Sequence, residues 1–254
     1  MPKFQSGEWV LITGGSSGLG EEFAYQLANK GVNLILIGRD SERLKKVSEK
    51  TRKINKKIDS LTFSFDLSKD LHKLIEKLQN FNVTHLINNA GFGWYGNFTN
   101  ANQEIYEKMI LVNISTLTYL SRYYAEKFSK RKNGGIINVA SVAAFFPIPH
   151  FAVYGATKAY VYNFSLSLWA EMRKNNVHVM CLAPGKTKTR FFERANMKNQ
   201  KKLMSTKFVV KGAINAYEKN KPLYIPGTSN KLLYSLVRGI VSDKFLAKIL
   251  EKLF

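Results

Sequence analysis

Tyr154 and Lys158 lie four residues apart, one turn of a helix, and Ser141 precedes the tyrosine by thirteen positions. Near the start of the chain, Thr13-Gly14-Gly15-Ser16-Ser17-Gly18-Leu19-Gly20 forms a glycine turn of the kind that holds a dinucleotide pyrophosphate. One half of the sequence offers a cofactor cradle, the other a phenol with a cation one helical turn away. Together they point to hydride chemistry on a carbonyl or an alcohol.

The elements that must position these groups alternate along the chain, as in a doubly wound parallel sheet. Trp9 to Ile12 reads as a short buried strand feeding the glycine turn, and Phe23, Ala24, Leu27 and Ala28 then recur at helical spacing. Further strands are expected at 33–37, 60–65, 85–87, 136–140, 177–182 and 223–225. Helices are expected at 41–53 with an N-cap at Ser41, and at 71–78, 103–131, 152–174 and 209–220. Residues 185–207 read as a basic connection of weak structure, a mobile lid over a cleft. No repeat or linker divides the chain, so the expectation is one α/β domain with a Rossmann-like sheet over 1–230. Residues 231–254 would be an amphipathic, basic helical extension of it.

In the cradle, glycines let the backbone turn tightly against phosphate oxygens, and the following helix N-terminus adds free N–H groups. Gly14, Ser16, Ser17, Gly18, Leu19 and Gly20 are the candidate contacts. The end of the second strand selects the cofactor: a carboxylate there suits the ribose of NAD, an arginine the 2′-phosphate of NADP. The chain reads Gly38-Arg39-Asp40. Arg39 presents a planar fork of donors to phosphate, which favours NADP over NAD. Asp40 is left with two readings, a ribose contact or a cap on the next helix.

Composition narrows the function classes. Cys181 is the only cysteine and sits in an apolar run, so it reads as a buried, inert thiol and no internal disulfide is possible. The N-terminus does not read as a signal peptide, and no apolar run is long enough to span a membrane, so the expected location is cytoplasmic. The formal net charge of +21 admits an anionic substrate, an acidic partner or a membrane surface, or simply a lysine-rich solvated exterior. No nucleic-acid-binding pattern accompanies the charge. The four histidines have no metal-like spacing, and no metal site is expected.

Thr13-Gly14-xxx-Gly18-x-Gly20, Asp66, Asn88-Asn89-Ala90-Gly91, Asn113, Ser141, Tyr154-xxx-Lys158 and Pro184-Gly185 occur in one order and spacing. In this the chain resembles the short-chain dehydrogenase/reductase family, of the Ser-Tyr-Lys-Asn type, over nearly its whole length. The resemblance implies that Tyr154 is the general acid for carbonyl reduction, or the base for alcohol oxidation. Lys158 would lower its pKa and bond the nicotinamide ribose. Ser141 would hold the substrate oxygen, and Asn113 a water in a proton relay. Asp66 and Leu67 would meet the adenine, Asn89, Ala90 and Gly91 the adenosine ribose, and Pro184, Gly185, Thr187 and Thr189 the nicotinamide carboxamide. Thr187 departs from the valine that the family often carries. Homo-oligomers, dimers or tetramers through the two long helices, are a further implication.

The segments beside these motifs are aromatic. Phe92, Trp94, Phe145, Phe146, Phe151 and Phe191 are the candidate substrate lining, suited to a hydrophobic carbonyl or alcohol. A lid carrying Lys186, Lys188, Arg190, Arg194 and Lys198 would welcome an acyl thioester with an anionic carrier. From Ser242 to Phe254 an apolar stripe alternates with lysines. That stripe, with the comparably apolar and basic stretch 232–238 just before it, would dock on the protein itself, cover the cleft, lie against an anionic membrane as a peripheral contact, or pack on another subunit. Three readings therefore compete: an NADP-dependent carbonyl reductase, a catalytically idle cofactor-binding sensor or scaffold, and a membrane-peripheral lipid-carbonyl reductase.

Overall fold

The computed structural model describes residues 3–197 and 200–239. Seven parallel strands form one sheet: β1 (Trp9–Thr13), β2 (Asn33–Gly38), β3 (Ser60–Ser64), β4 (Val83–Asn88), β5 (Gly135–Val139), β6 (His178–Leu182) and β7 (Leu223–Tyr224). Their spatial order is β3-β2-β1-β4-β5-β6-β7. The central strands β4, β5 and β6 are buried at every position, so they show no alternation of apolar and exposed residues. The direction of winding reverses between β1 and β4, and the crevice beyond the carboxyl ends of these two strands is where such sheets bind ligands.

Helices cover both faces. On one side α1 (Gly18–Asn29), α2 (Ser41–Ile54) and α8 (Thr206–Glu218) bury Phe23, Leu27, Leu44, Val47 and Val210 with one face of the sheet. On the other, α3 (Leu71–Leu78), α4 (Gln103–Ile110), α5 (Leu117–Arg131) and α6 (Ala152–Met172) supply Leu74, Leu120, Tyr124, Phe128 and their neighbours. The doubly wound architecture expected from the alternating pattern is the one observed.

Four local departures have physical causes. The helix expected over 103–131 is continuous but widens into a π-helical turn at Leu111–Thr116, between α4 and α5. Such turns shift the hydrogen-bond register by one residue and cluster at functional sites. The cap of α2 is Asp40, whose side chain accepts from the Arg43 backbone N–H at 3.0 Å, not Ser41. In the basic connection, a short helix α7 (Phe191–Arg194) forms, and Thr187 pairs with Met204 in an isolated bridge. The next helix starts earlier than expected because Ser205 caps it, accepting from the Phe208 N–H at 3.2 Å. The last described helix, α9 (Thr228–Gly239), packs through Tyr234 against Phe145 and Tyr162. The stripe expected over 242–254 lies outside the described residues.

Candidate active site

The glycine turn is locked from below before it meets any ligand. Thr13 ends β1, and its hydroxyl oxygen accepts from the backbone N–H groups of Asn89 and Ala90, both at 3.0 Å. The Asn89 amide donates back to the carbonyls of Thr13 (2.9 Å) and Gly14 (3.2 Å). These bonds hold the ends of β1 and β4 together at the reversal. Gly14 and Gly18 adopt φ of +67° and +63°, which side chains disfavour. A Cβ on Gly14 would press on the Asn89 amide at 2.8 Å, and one on Gly20 would strike the Gly14 carbonyl. Ser17 stands at the N-cap of α1 without a side-chain cap bond, so N–H groups of that first turn stay available to an anion. A cradle with no room for side chains beside an uncapped helix start fits a dinucleotide pyrophosphate.

Arg39 is exposed at the end of β2, and the Ser64 hydroxyl fixes its carbonyl at 3.1 Å. Asp40 takes the capping reading, with a second contact to the Arg43 Nε at 3.1 Å. Asp66 accepts from the N–H and hydroxyl of Ser68. The Ser68 backbone bond, assisted by Arg39, holds its carboxyl below the usual carboxylate range. Leu67 is buried, and its carbonyl accepts from the Thr116 hydroxyl at 2.6 Å, which ties this loop to the π turn.

Past the cradle, α6 turns Tyr154, Thr157, Lys158 and Val161 inward on one face. Tyr154 is 6% exposed; Phe151 stacks on its ring at 4.3 Å and Phe191 tilts against it at 5.1 Å. Burial raises its pKa well above that of a free phenol, and a hydrogen bond with Ser141 only partly opposes this. The lowered pKa expected from Lys158 is therefore not what this arrangement gives. The Lys158 Nζ lies 5.7 Å from the centre of the tyrosine ring and donates to the Val139 carbonyl at 2.8 Å. Burial lowers the lysine itself to about 8.

Ser141 lies two residues beyond β5 and caps the short turn Val142–Ala144, its oxygen accepting from the Ala143 N–H at 3.2 Å. Asn113 sits inside the π turn. Its amide oxygen accepts from the Phe92 N–H, and its nitrogen donates to the Phe92 carbonyl and the Thr157 hydroxyl. The side chain thus clamps the segment after β4 to α6. Both of its N–H donors are engaged within the protein.

The cradle, Ser141, Tyr154 and Lys158 open onto one cavity of about 1090 Å³, whereas Gly20, Arg39, Asp66, Leu67 and Asn113 are not part of its wall. Its wall includes Gly14, Ser16, Ser17, Gly18, Leu19, Asn89, Ala90, Gly91, Ser141, Tyr154, Lys158, Pro184, Gly185, Thr187 and Thr189. Phe92, Phe146, Phe151 and Phe191 line it as expected from the sequence, together with Phe192 and Met197. Two aromatics do not. Phe145 turns away to pack on Tyr162 and Tyr234, and Trp94 packs edge-on against Tyr106. Met204, Phe208, Asn230 and Leu233 also line the cavity; of these the sequence offered only Leu233, within the 232–238 stretch that is one candidate to cover the cleft. Among the other three, Asn230 alone has a local signal, lying just after the Pro226-Gly227 turn.

The rim is cationic: Lys186, Arg190, Arg194, Lys201 and Lys202 all border the cavity, and Lys198 lies outside the described residues. Partial burial, with Arg190, Arg39 and Arg43 crowding it, lowers the Arg194 pKa below that of a free guanidinium. Cys181 is buried in β6, and its thiol is pushed up to about 12 by burial, so it is no nucleophile. Among the described residues no group of His, Cys, Asp and Glu is arranged to hold a metal, and no helix is long and apolar enough to cross a membrane.

Comparison with known proteins gives a concordant picture. Residues 8–200 match the family model described as short chain dehydrogenase. The very-long-chain 3-oxoacyl-CoA reductase of Pyrenophora tritici-repentis is 36% identical over 186 residues, covering 69% of this chain and 54% of that protein. Hydroxysteroid dehydrogenase-like protein 1 of Gallus gallus is 32% identical over 182 residues, covering 70% and 55%. The chain spans about half the length of these two relatives. Among solved structures, a short-chain dehydrogenase from Sphingobium yanoikuyae in complex with NADPH superposes with a TM-score of 0.83 at 29% identity, covering 92% of this chain and 96% of that one.

Proposed function

The chain belongs to the short-chain dehydrogenase/reductase family, and from that premise we propose that it is an NADP-dependent reductase of lipophilic carbonyl compounds, 3-oxoacyl thioesters foremost. The observation that carries this reading is the one cavity that holds both the glycine cradle and Ser141 with the buried Tyr154 and Lys158. A nicotinamide dinucleotide, when bound, supplies the hydride. Gly14 to Gly20, Asn89 to Gly91, Asp66, Leu67, Pro184, Gly185, Thr187 and Thr189 would hold it, and Arg39 would meet the 2′-phosphate.

The direction of the tyrosine shift suits reduction. A general acid must carry its proton when substrate arrives, and burial keeps the proton on Tyr154 Oη at neutral pH. Ser141 orients the carbonyl oxygen, Tyr154 passes it the proton, and the resulting phenolate is compensated by the Lys158 ammonium. With a pKa of about 8, that ammonium is mostly charged at neutrality. Asn113 acts by position, fixing α6 relative to the loop after β4. The phenylalanine wall excludes water and accepts an apolar chain, and the cationic rim suits the phosphates of an acyl-CoA. The names of the relatives agree with that substrate class.

The test is consumption of NADPH and NADH with long-chain 3-oxoacyl thioesters, aldehydes and cyclic ketones. Turnover of the thioester with preference for NADPH is expected. Tyr154→Phe should lower kcat/KM by about 10³-fold while NADPH binding survives. Tight NADPH binding with no turnover of any carbonyl would instead identify a sensor.

A further inference from the structure

Eight large apolar side chains stand exposed among the described residues, and four of them, Phe208, Leu232, Leu233 and Leu236, come from α8 and α9. Phe208 and Leu233 also form part of the cavity wall, so the apolar patch is continuous with the cavity mouth. Tyr234 explains why the leucines face outward: its hydroxyl pairs with that of Tyr162 at 2.9 Å and its ring packs on Phe145, which roots α9 on the opposite side. Leu232 at 62% and Leu236 at 45% exposure have no packing role of that kind. An apolar patch at the mouth of a site is rarely left to water without a partner.

The charge around the patch selects the partner. From residue 200 to 236 the chain carries seven lysines against the lone carboxylate of Glu218. Lys201 and Lys202 border the cavity mouth, and Lys207, Lys211 and Lys231 are exposed beside Phe208 and Leu232. Outward leucines interleaved with lysines match a surface that is apolar beneath and anionic on top, as an acidic bilayer is. An acidic protein would satisfy the lysines alone, whereas an acidic bilayer satisfies the lysines and the exposed leucines together.

We propose that the α8–α9 face docks on anionic membrane surfaces, with Leu232, Leu233, Leu236 and Phe208 entering the headgroup boundary and the cavity mouth facing the lipid. The docking itself stands on the patch; its use, admitting a lipophilic carbonyl directly from the bilayer, rests on the reductase reading above.

Co-sedimentation of the full chain with vesicles tests this without substrate or cofactor, so its failure would leave the reductase reading untouched. Vesicles of phosphatidylglycerol and phosphatidylcholine should bind the protein at least about tenfold more tightly than phosphatidylcholine alone. Leu232→Ser/Leu236→Ser should lower that partitioning about tenfold, while far-ultraviolet circular dichroism and NADPH binding stay unchanged. Lys207→Glu/Lys211→Glu, on a different helix, should weaken it in the same direction and remove much of its salt sensitivity. Partitioning indifferent to lipid charge, or retained in both double variants, would overturn the proposal. So would a change in sedimentation coefficient of the leucine variant without lipid, which would make the patch a contact between copies of the chain.

Discussion

At the amino end of the sheet, His85 of β4 bonds the Tyr217 hydroxyl at 2.9 Å and the Glu8 carboxylate at 3.3 Å, with His178 of β6 packed on the same tyrosine ring. At the carboxyl end, Tyr154 and Lys158 are buried to the same degree. Both ends displace pKa values, Tyr217 and Tyr154 upward and His178 and Lys158 downward, each chiefly through burial. The displaced pKa alone does not separate a functional group from a structural one. What separates them is where the polar atoms point. The amino-end hydroxyl and carboxylate are spent on His85, whereas Tyr154 and Lys158 face a cavity large enough for cofactor and substrate. Among the described residues the Lys158 Nζ makes one hydrogen bond, to Val139, and an ammonium has three donors.

Removing the carboxyl-end cation should give the largest effect. Lys158→Met is expected to lower kcat/KM by about 10²–10⁴-fold. In the wild type, reductive kcat/KM should fall as pH rises through about 8, where the ammonium is lost. At the opposite end, Tyr217→Phe should leave kcat/KM unchanged and lower unfolding free energy by about 1–3 kcal/mol, because the His85 Nδ1 loses its buried partner. A flat pH profile, or a catalytic defect in the Tyr217 variant, would dissolve the contrast between the two ends.

Much of the carboxyl end could be read from the sequence because its residues answer local rules. Gly14 and Gly18 are dictated by positive φ, and the Tyr154–Lys158 spacing by the helical period. The amino end was illegible. His85 and His178 belong to strands that flank β5, and only the sheet order brings them to one tyrosine of α8. Phe145 and Trp94 were misplaced for a related reason: which aromatic of a loop faces a cavity depends on what else is packed there. Tyr234, arriving from far along the chain, claims Phe145. The π turn at Leu111–Thr116 has no glycine or proline to announce it.

The amino end should also announce itself in acid. Burial lowers His178 to about 4 from an ordinary 6.5, against a weaker contact with the Lys221 backbone. The folded state therefore refuses a proton that the unfolded state accepts. Stability from this group is complete above pH 6.5, declines as pH falls, and is fully lost below about 4. The loss is on the order of 3 kcal/mol. Glu8, whose pKa is lowered by His85 and backbone bonds despite burial, pulls in the same direction. Denaturant midpoints measured between pH 7 and 4 should fall more steeply for the wild type than for His178→Leu. Equal slopes would show that the histidine is solvated in solution and that the closed end is looser than its geometry implies.

The smallest expected effects come from two neighbours at the end of β2, where structure and function meet within one dipeptide. Asp40 belongs with the amino-end groups in kind: its carboxylate is spent on the Arg43 N–H and Nε. Arg39 belongs with Lys158, since its guanidinium is exposed beside the cradle and Ser64 anchors only its backbone. Asp40→Ala should cost about 1 kcal/mol of stability, the usual worth of an N-cap, and leave the ratio of NADPH to NADH affinity unchanged. Arg39→Ala should leave stability alone and lower that ratio about tenfold, as loss of one charge-assisted phosphate contact does. Binding titrations with the two cofactors, alongside thermal melts, separate these outcomes. A change of cofactor preference in the aspartate variant would return Asp40 to the ribose and weaken the case for NADP.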